Sequence, residues 1–136
     1  MNSIGTCRPP TALECAALII GLRIGLHIWG YGRVIAWLRR RAQAIPAGQG
    51  LDLAAVRRIE RSVATAGALY PGRALCLEQS LVLYWLLRRR GVASRYCHGV
   101  AARPFQAHAW VEYQGEVVND VAEHTRRFAK LPDQLP

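Results

Sequence analysis

The sequence predicts an α+β fold in which helices come first and a small antiparallel sheet follows. Apolar residues recur at helical spacing in several segments before Gly91, and the pattern becomes strand-like after that glycine. Gln114-Gly115 separates two of the strand-like stretches by two residues, which is typical of a β-hairpin. We therefore expect N-terminal helices packed on a sheet of three antiparallel strands.

One or two core helices are expected in the N-terminal part, over residues 12–28 and 33–44. Thr11 and Glu14 have the spacing of a capping box at the start of the first helix. This helix is mostly apolar, but its longest uncharged run, residues 15–22, is far short of the roughly 20 residues that a membrane span needs. We therefore expect no membrane span. Its apolar surface is expected to pack in the core or to dock a partner.

The remaining elements follow from periodicity and turn residues. Leucine, valine and isoleucine recur at helical spacing over residues 51–68, and a fourth helix is expected from the Pro71-Gly72 turn to Gly91. Beyond Gly91 we expect strands over 95–101, 106–113 and 116–119, a short helix over 124–131, and a frayed tail over 132–136.

The length of 136 residues fits one domain, with a helical part over 1–48 and a core over 49–136. The net charge is +9 and 17 of the 18 basic residues are arginine, which indicates an acidic partner, whether a peptide, a nucleic acid or a membrane surface. The arginines are spread along the chain without a nucleic-acid recognition motif, so no nucleic-acid partner is expected.

The four cysteines lack the paired spacing of a zinc ribbon, and no secretory signal precedes them. Reduced thiols in a cytoplasm fit this pattern better than a disulfide framework. One of them, Cys76, falls in the first turn of the fourth predicted helix, where backbone N–H groups and the helix dipole stabilise an anion. A thiolate is the nucleophile in cysteine chemistry, so Cys76 is the candidate nucleophile. A buried structural cysteine is the alternative.

Strand alternation places His108, Trp110 and Glu112 on one face of the second predicted strand. A Gln114-Gly115 turn pairs Tyr113 with Glu116, and this register puts Asp120 near Ala109 and within diagonal reach of His108. Cys76, His108 and Asp120 would then supply the nucleophile, the base and the orienting acid of a catalytic triad.

Several short segments stand out in order along the chain: Cys76-Leu77, Ser80-Leu81, Leu86-Leu87-Arg88-Arg89-Arg90-Gly91, His98-Gly99-Val100, Pro104-Phe105, Ala107-His108-Ala109-Trp110-Val111-Glu112 and Asn119-Asp120. Together they resemble the leader peptidases of lasso-peptide biosynthesis, which belong to the transglutaminase-like (papain-like) cysteine proteases. The resemblance covers residues ~50–131 well and the helical part in character only.

The resemblance implies a cytoplasmic cysteine endopeptidase that removes the leader from a ribosomally made precursor peptide. The family's catalytic Cys, His and Asp map onto Cys76, His108 and Asp120. It further implies an ATP-dependent macrolactam synthetase that takes the core peptide, and a small leader-recognition protein. Many relatives carry the recognition domain at the N-terminus. We expect this chain to be too short for one, so a separate partner is expected. No cofactor and no metal is expected.

Three further residues are candidate substrate contacts: Trp110, His98 and Tyr70. Packing beneath the site is the alternative for Trp110, and packing is also the alternative for Tyr70. A metal site made of Cys97 and His98 with Cys76 and His108 lacks ligand spacing. No partner for His124 is apparent in the sequence.

Two other functions stay open at this point. A transglutaminase-like enzyme would pass the acyl group to an amine instead of water, and a non-catalytic basic module would bind a peptide or a nucleic acid. The mass of the product distinguishes a transglutaminase-like acyltransferase from a peptidase. Preferential alkylation of Cys76 argues against a non-catalytic binding module.

Overall fold

In the computed structural model of the chain, the described residues are 8–48, 50–69, 76–132 and 135. They form helices first and an antiparallel sheet second, so the predicted α+β order is confirmed. The helices are α1 (Ala12–Trp29), α2 (Tyr31–Gln43), α3 (Leu53–Leu69), α4 (Cys76–Arg89) and α5 (Ala122–Thr125); the strands are β1 (Arg95–Ala102), β2 (Phe105–Tyr113), β3 (Glu116–Val117) and β4 (Ala129–Lys130).

The start of α1 has the capping box that the sequence predicts. The Thr11 hydroxyl accepts a hydrogen bond from the Glu14 N–H at 3.1 Å, and the Glu14 carboxylate accepts one from the Thr11 N–H at 3.0 Å. Each bond satisfies an N–H that the helix itself leaves unpaired. Gly30 ends α1 and precedes α2 with φ of 80°, a left-handed conformation that glycine adopts without steric cost.

The sheet has the order β3-β2-β1-β4 and all its pairs are antiparallel. Gln114 and Gly115 have φ values of 52° and 78°, as a type I′ hairpin turn requires at both central positions. Tyr113 faces Glu116 across this turn, so the register inferred from the sequence is confirmed.

The end of the chain differs from its prediction. The helix expected within 124–131 is instead the short α5, Ala122–Thr125, and Ala129–Lys130 forms a fourth strand beside β1. Leu135, expected in a frayed tail, exchanges backbone hydrogen bonds with Tyr96 at 3.0 and 3.1 Å. The cause is the open edge of β1, whose backbone groups need partners. Gly99 permits the close approach, since a Cβ there would lie 2.6 Å from the Ala129 carbonyl oxygen.

The two faces of β2 contact different clusters. Ala109, Val111 and Tyr113 belong to the main core, which joins the sheet to α1, α2, α3 and α4. Trp110 lies in a smaller cluster with Cys97 and Phe128 on the other face. The alternation predicted for this strand is therefore confirmed, and it leaves His108 on the side of the smaller cluster.

Helix α1 packs through a narrow side. Only Cys15, Ile19 and Gly25 are buried among its 18 residues, although the helix is apolar along most of its length. By length and composition alone, α1 is long and apolar enough to cross a membrane. The expectation of no membrane span therefore stays a prediction, and the exposed side of α1 needs an explanation.

Candidate active site

His108 and Asp120 are in direct contact. The chain continues beside β2 after Val117, with the Val118 N–H donating to the Val111 carbonyl at 2.8 Å. This brings Asp120 alongside His108, where Nε2 of the imidazole lies 2.5 Å from Oδ2 of the carboxylate. Both side chains are partly buried, with exposed fractions of 17% and 19%, so water screens their interaction only in part.

A cluster of buried and partly buried hydrogen bonds joins α4 to Ala109 and Asn119, the chain neighbours of His108 and Asp120. The Ser80 hydroxyl donates to the carbonyl of Ala109 at 3.0 Å and accepts from the Asn119 amide at 2.9 Å. The Asn119 carbonyl oxygen accepts from the Val111 N–H at 2.9 Å. We call Ser80, Ala109, Asn119 and Val111 the serine–asparagine clamp. It fixes α4 against the strand that carries His108 and the segment that carries Asp120.

The sequence alone did not identify this clamp, although a signal was present. Ser80 follows Cys76 by one helical turn, and Asn119 directly precedes Asp120. Both are polar residues beside an apolar one, since Leu81 follows Ser80 and Val118 precedes Asn119. Ser80 is fully buried. Buried hydroxyl and amide groups require hydrogen-bond partners, which makes such residues candidates for a structural link.

Cys76 is the first residue of α4 and carries a free, partly exposed thiol. Residues four apart on a helix share a face and lie about 6 Å apart along its axis, so Cys76 projects near the clamp that holds Ser80. Within the parts of the chain that are described, no hydrogen bond joins Cys76 to His108. The structure thus brings His108 and Asp120 together, while the approach of the thiol stays a prediction. Tyr70 lies outside the described residues.

The His108 ring packs against two aromatic side chains, Trp110 and Phe128. It stacks on Trp110 with centroids 5.9 Å apart and contacts Phe128 at 5.2 Å. Trp110 is only 1% exposed, which favours packing over contact with a substrate. His98 lies on the opposite face of the sheet, where Nδ1 is 3.1 Å from the Tyr31 hydroxyl and the ring stacks on Tyr96. The substrate roles of Trp110 and His98 stay predictions.

Glu112 forms hydrogen bonds with Trp110, which packs against His108, and with Lys130. Its Oε1 accepts hydrogen bonds from the Trp110 indole at 3.0 Å and from the Lys130 ammonium at 2.9 Å. Burial alone would raise the pKa of Glu112, but the bonds from Trp110 and Lys130 outweigh it, and the pKa lies below its ordinary value. The ionised carboxylate therefore joins β2 to β4.

We expect Glu112→Gln to destabilise the fold by about 1 kcal/mol at neutral pH, because it loses a charge-assisted hydrogen bond to Lys130. When folding lowers the pKa of a carboxyl group, its ionised form stabilises the folded protein at pH values above the unfolded-state pKa. This stabilisation is lost as the pH falls through the folded-state pKa. The difference between variant and wild type should therefore shrink as the pH falls below about 4. Urea unfolding at several pH values measures it. A difference that stays constant down to pH of about 3 would contradict this role.

Asp120 accepts three hydrogen bonds. Oδ2 accepts from His108 and also from Nδ1 of His124 at 2.7 Å, and Oδ1 accepts from the Val121 N–H at 2.8 Å. Burial alone would raise the pKa of Asp120; the bonds from His124, Val121 and His108 outweigh it, so the pKa lies below its ordinary value. The carboxylate is thus held ionised beside both imidazoles. His124, for which the sequence offered no partner, belongs to this site.

His108, Asp120 and His124 place ligand atoms within 4.8 Å of one another, a grouping that is chemically suited to a divalent ion. The imidazole–carboxylate separations of 2.5 and 2.7 Å are hydrogen-bond distances. Ligands around tetrahedral zinc lie roughly 3.3 Å apart, so the observed arrangement is that of a hydrogen-bonded carboxylate. The expectation of no metal stays a prediction.

Cys97 is a core thiol in this structure. It is fully buried, and burial raises its pKa to about 11. Cys97 and His98 are strand neighbours on opposite faces of the sheet, so they do not converge on one ion.

Comparisons with known proteins identify the family to which the chain belongs. The profile of the Transglutaminase-like superfamily matches residues 18–133. The chain is also 40% identical over 45 residues to the Microcin J25-processing protein McjB of Escherichia coli, an alignment that covers 33% of this chain and 22% of that protein. The chain thus spans about a fifth of this relative's length. No solved structure matches significantly. Since the superfamily profile spans most of the sequence and the fold has the expected α+β order, the chain belongs to the transglutaminase-like superfamily.

Proposed function

We propose that this chain is a cysteine endopeptidase that removes the leader from a lasso-peptide precursor. The observation that carries the proposal is the His108–Asp120 pair, held by the serine–asparagine clamp one helical turn from Cys76. Superfamily membership and the partial similarity to a protein that processes microcin J25, a lasso peptide, support it. The leader-recognition protein and the macrolactam synthetase of such a pathway are part of the same proposal.

The proton positions follow from the acceptor. A carboxylate only accepts hydrogen bonds, so the His108 Nε2 beside Asp120 carries a hydrogen. In the neutral ring Nδ1 then has the free lone pair, and this is the atom that takes the proton of the Cys76 thiol. Asp120 stabilises the imidazolium that results, as the acid does in other triads.

The reaction then proceeds in two steps. The Cys76 thiolate attacks the scissile carbonyl carbon, a tetrahedral oxyanion forms, and the C–N bond breaks as the His108 imidazolium gives its proton to the leaving amine. His108 next takes a proton from water while the water oxygen attacks the thioester carbon. The C–S bond then breaks, the His108 imidazolium returns its proton to the Cys76 sulfur, and the product leaves as a carboxylic acid that ionises in water. The Cys76 N–H, at the start of α4, is the proposed donor to the oxyanion.

The test is incubation of the chain with its precursor peptide and recognition protein, followed by mass spectrometry. Hydrolysis gives a leader and a core peptide whose masses sum to that of the precursor plus one water. An amide adduct with an added amine would instead show acyl transfer. An intact precursor that stays bound to the chain would show the non-catalytic module.

The exposed side of the first two helices supports the proposed partner. An apolar groove of about 820 Å³ lies between α1, α2 and α4, with Trp29, Trp37 and Trp85 among its lining residues. Beside it, α1 exposes Ile20, Ile24 and other apolar side chains. We call this surface the α1–α2 groove. Apolar area of this kind, rimmed by arginines, is typical of a protein interface.

Charge indicates which kind of partner fits. Residues 12–44 contain five arginines and a single acidic residue, Glu14. A second copy of this chain would bring like charges together, whereas an acidic partner helix would meet opposite charge around an apolar seam. The occupant we propose is therefore the leader-recognition protein, through an acidic amphipathic segment.

We expect Ile24→Asp to weaken binding of the recognition protein by about 10-fold to 100-fold, because an isoleucine buried in an interface contributes about 1.5–3 kcal/mol. Ile24 is 51% exposed on α1. Leu69→Asp, at a leucine that is 74% exposed on α3, is the matched control. Isothermal titration calorimetry with the purified recognition protein gives both affinities.

Equal affinities for the two variants would place the partner elsewhere. Sedimentation and vesicle flotation identify the other occupants: a wild-type dimer that Ile24→Asp dissociates would mean a second copy, and loss of vesicle binding would mean a lipid surface. Alkylation of Cys76 should be unchanged in Ile24→Asp, because the substitution leaves the candidate active site intact.

A further inference from the structure

We propose that His124 is a positioning residue that holds the Asp120 carboxylate in place for His108. The inference rests on the proposed catalytic role of His108 and Asp120. Its basis is a shared acceptor: Oδ2 of Asp120 lies 2.7 Å from Nδ1 of His124 and 2.5 Å from Nε2 of His108. Two imidazoles thus donate to one carboxylate oxygen.

The hydrogen bond from His124 restricts rotation of the Asp120 carboxylate. The terminal torsion of an aspartate side chain is broad, so a carboxylate held by a single bond turns easily about it. Here the Val121 N–H donates to Oδ1 at 2.8 Å, and Nδ1 of His124 donates to Oδ2 at 2.7 Å. With three hydrogen bonds the carboxylate plane is set before a substrate arrives, which is what preorganisation of a triad requires.

His124 also assists the correct tautomer of His108. Because the carboxylate only accepts, Nδ1 of His124 and Nε2 of His108 each carry a hydrogen. An Asp120 carboxylate that turned away would free Nε2 of His108, and the neutral ring would then exchange freely between its tautomers. A fixed carboxylate keeps Nδ1 unprotonated and ready for the thiol.

The local fold explains how His124 reaches this place. Helix α5 begins two residues after Asp120, and its turn brings position 124 back over position 120, the i,i+4 relation of a helix. The His124 ring packs edge-on against His108, with centroids 4.8 Å apart, and against Phe128 at 5.3 Å. His124 therefore makes two kinds of contact whose effects must be separated: a hydrogen bond to Asp120, and ring contacts with His108 and Phe128.

Two variants separate these contacts. In His124→Asn, the amide nitrogen occupies a position similar to that of Nδ1, so the donor is kept and the ring is lost. In His124→Phe, the ring is kept and the donor is lost. A positioning role predicts that asparagine rescues and phenylalanine does not, whereas a packing role predicts the reverse.

The readouts are precursor cleavage, the rate at which iodoacetamide alkylates Cys76 near neutral pH, and the melting temperature. We expect kcat for His124→Asn to stay within about 3-fold of wild type and kcat for His124→Phe to fall by about 10-fold or more, with KM unchanged. The rate of Cys76 alkylation should likewise stay near the wild-type rate in His124→Asn and fall in His124→Phe. Should His124→Phe fail to fold, His124→Ala takes its place, since it also lacks the donor.

Equal kcat for the asparagine variant and the donor-free variant would overturn the positioning role. His108→Ala distinguishes this failure from failure of the proposed function. If His108→Ala leaves alkylation of Cys76 unchanged, the catalytic proposal itself fails. If alkylation slows in His108→Ala while every His124 variant behaves as wild type, only the role of His124 is wrong.

Discussion

Cys76→Ala is expected to abolish processing of the precursor, lowering kcat by about 10⁴-fold or more. The physical reason is that the acyl-enzyme forms on the sulfur, and alanine offers no nucleophile in its place. Alanine is a good helix former and Cys76 is only partly buried at the start of α4, so the fold should be kept. Mass spectrometry of the reaction products measures the loss.

The matched control is Cys15→Ala. Cys15 is fully buried in α1, far along the chain from the candidate triad, and no step of the mechanism uses it. We expect this variant to process precursor at a rate close to wild type, with a small loss of stability from the missing sulfur. Processing by purified Cys76→Ala would refute the nucleophile assignment, as would loss of activity confined to Cys15→Ala.

Asp120→Asn is expected to lower kcat by about 10²-fold to 10⁴-fold, as substitution of the orienting acid does in a serine-protease triad. The neutral amide stabilises the imidazolium less than the carboxylate does. If its NH₂ group turns toward His108, Nε2 becomes an acceptor, and the ring hydrogen moves to Nδ1, where the thiol proton should go. Single-turnover cleavage assays measure the effect on the chemical step.

Asp52→Asn provides the control for this charge change. The Asp52 carboxylate accepts from the Ala55 N–H at 2.7 Å at the start of α3, and asparagine caps helices about as well as aspartate. Activity should therefore be unaffected in Asp52→Asn. If Asp120→Asn were as active as Asp52→Asn, Asp120 would have no part in orienting His108.

Much of the architecture could be predicted because it depends on local patterns. The helical spacing before Gly91 and the Gln114-Gly115 turn are local signals, and both gave the observed elements. The reach of Asp120 toward His108 followed from the register of one hairpin, which two turn residues determine. The thiol of Cys76 could be placed only at the start of its helix.

The features that escaped prediction depend on tertiary contacts. Ala129–Lys130 is too short to show alternation, and it becomes a strand because β1 offers an open edge and Gly99 lets the chain approach. His124 meets Asp120 because α5 starts at Ala122, two residues earlier than the helix that the sequence predicts. Contacts between residues of different helices and strands cannot be predicted from the pattern of either segment alone.

The central claim is that Cys76 and His108 act as one unit, and the rate of alkylation of Cys76 tests it most directly. Iodoacetamide reacts with thiolates, and an ordinary thiol is mostly protonated at pH of about 6. At this pH we expect Cys76 of the wild type to be labelled at least about 10-fold faster than in His108→Ala, and ahead of the buried Cys15 and Cys97 in peptide maps. Equal labelling of Cys76 with and without His108 would contradict the account.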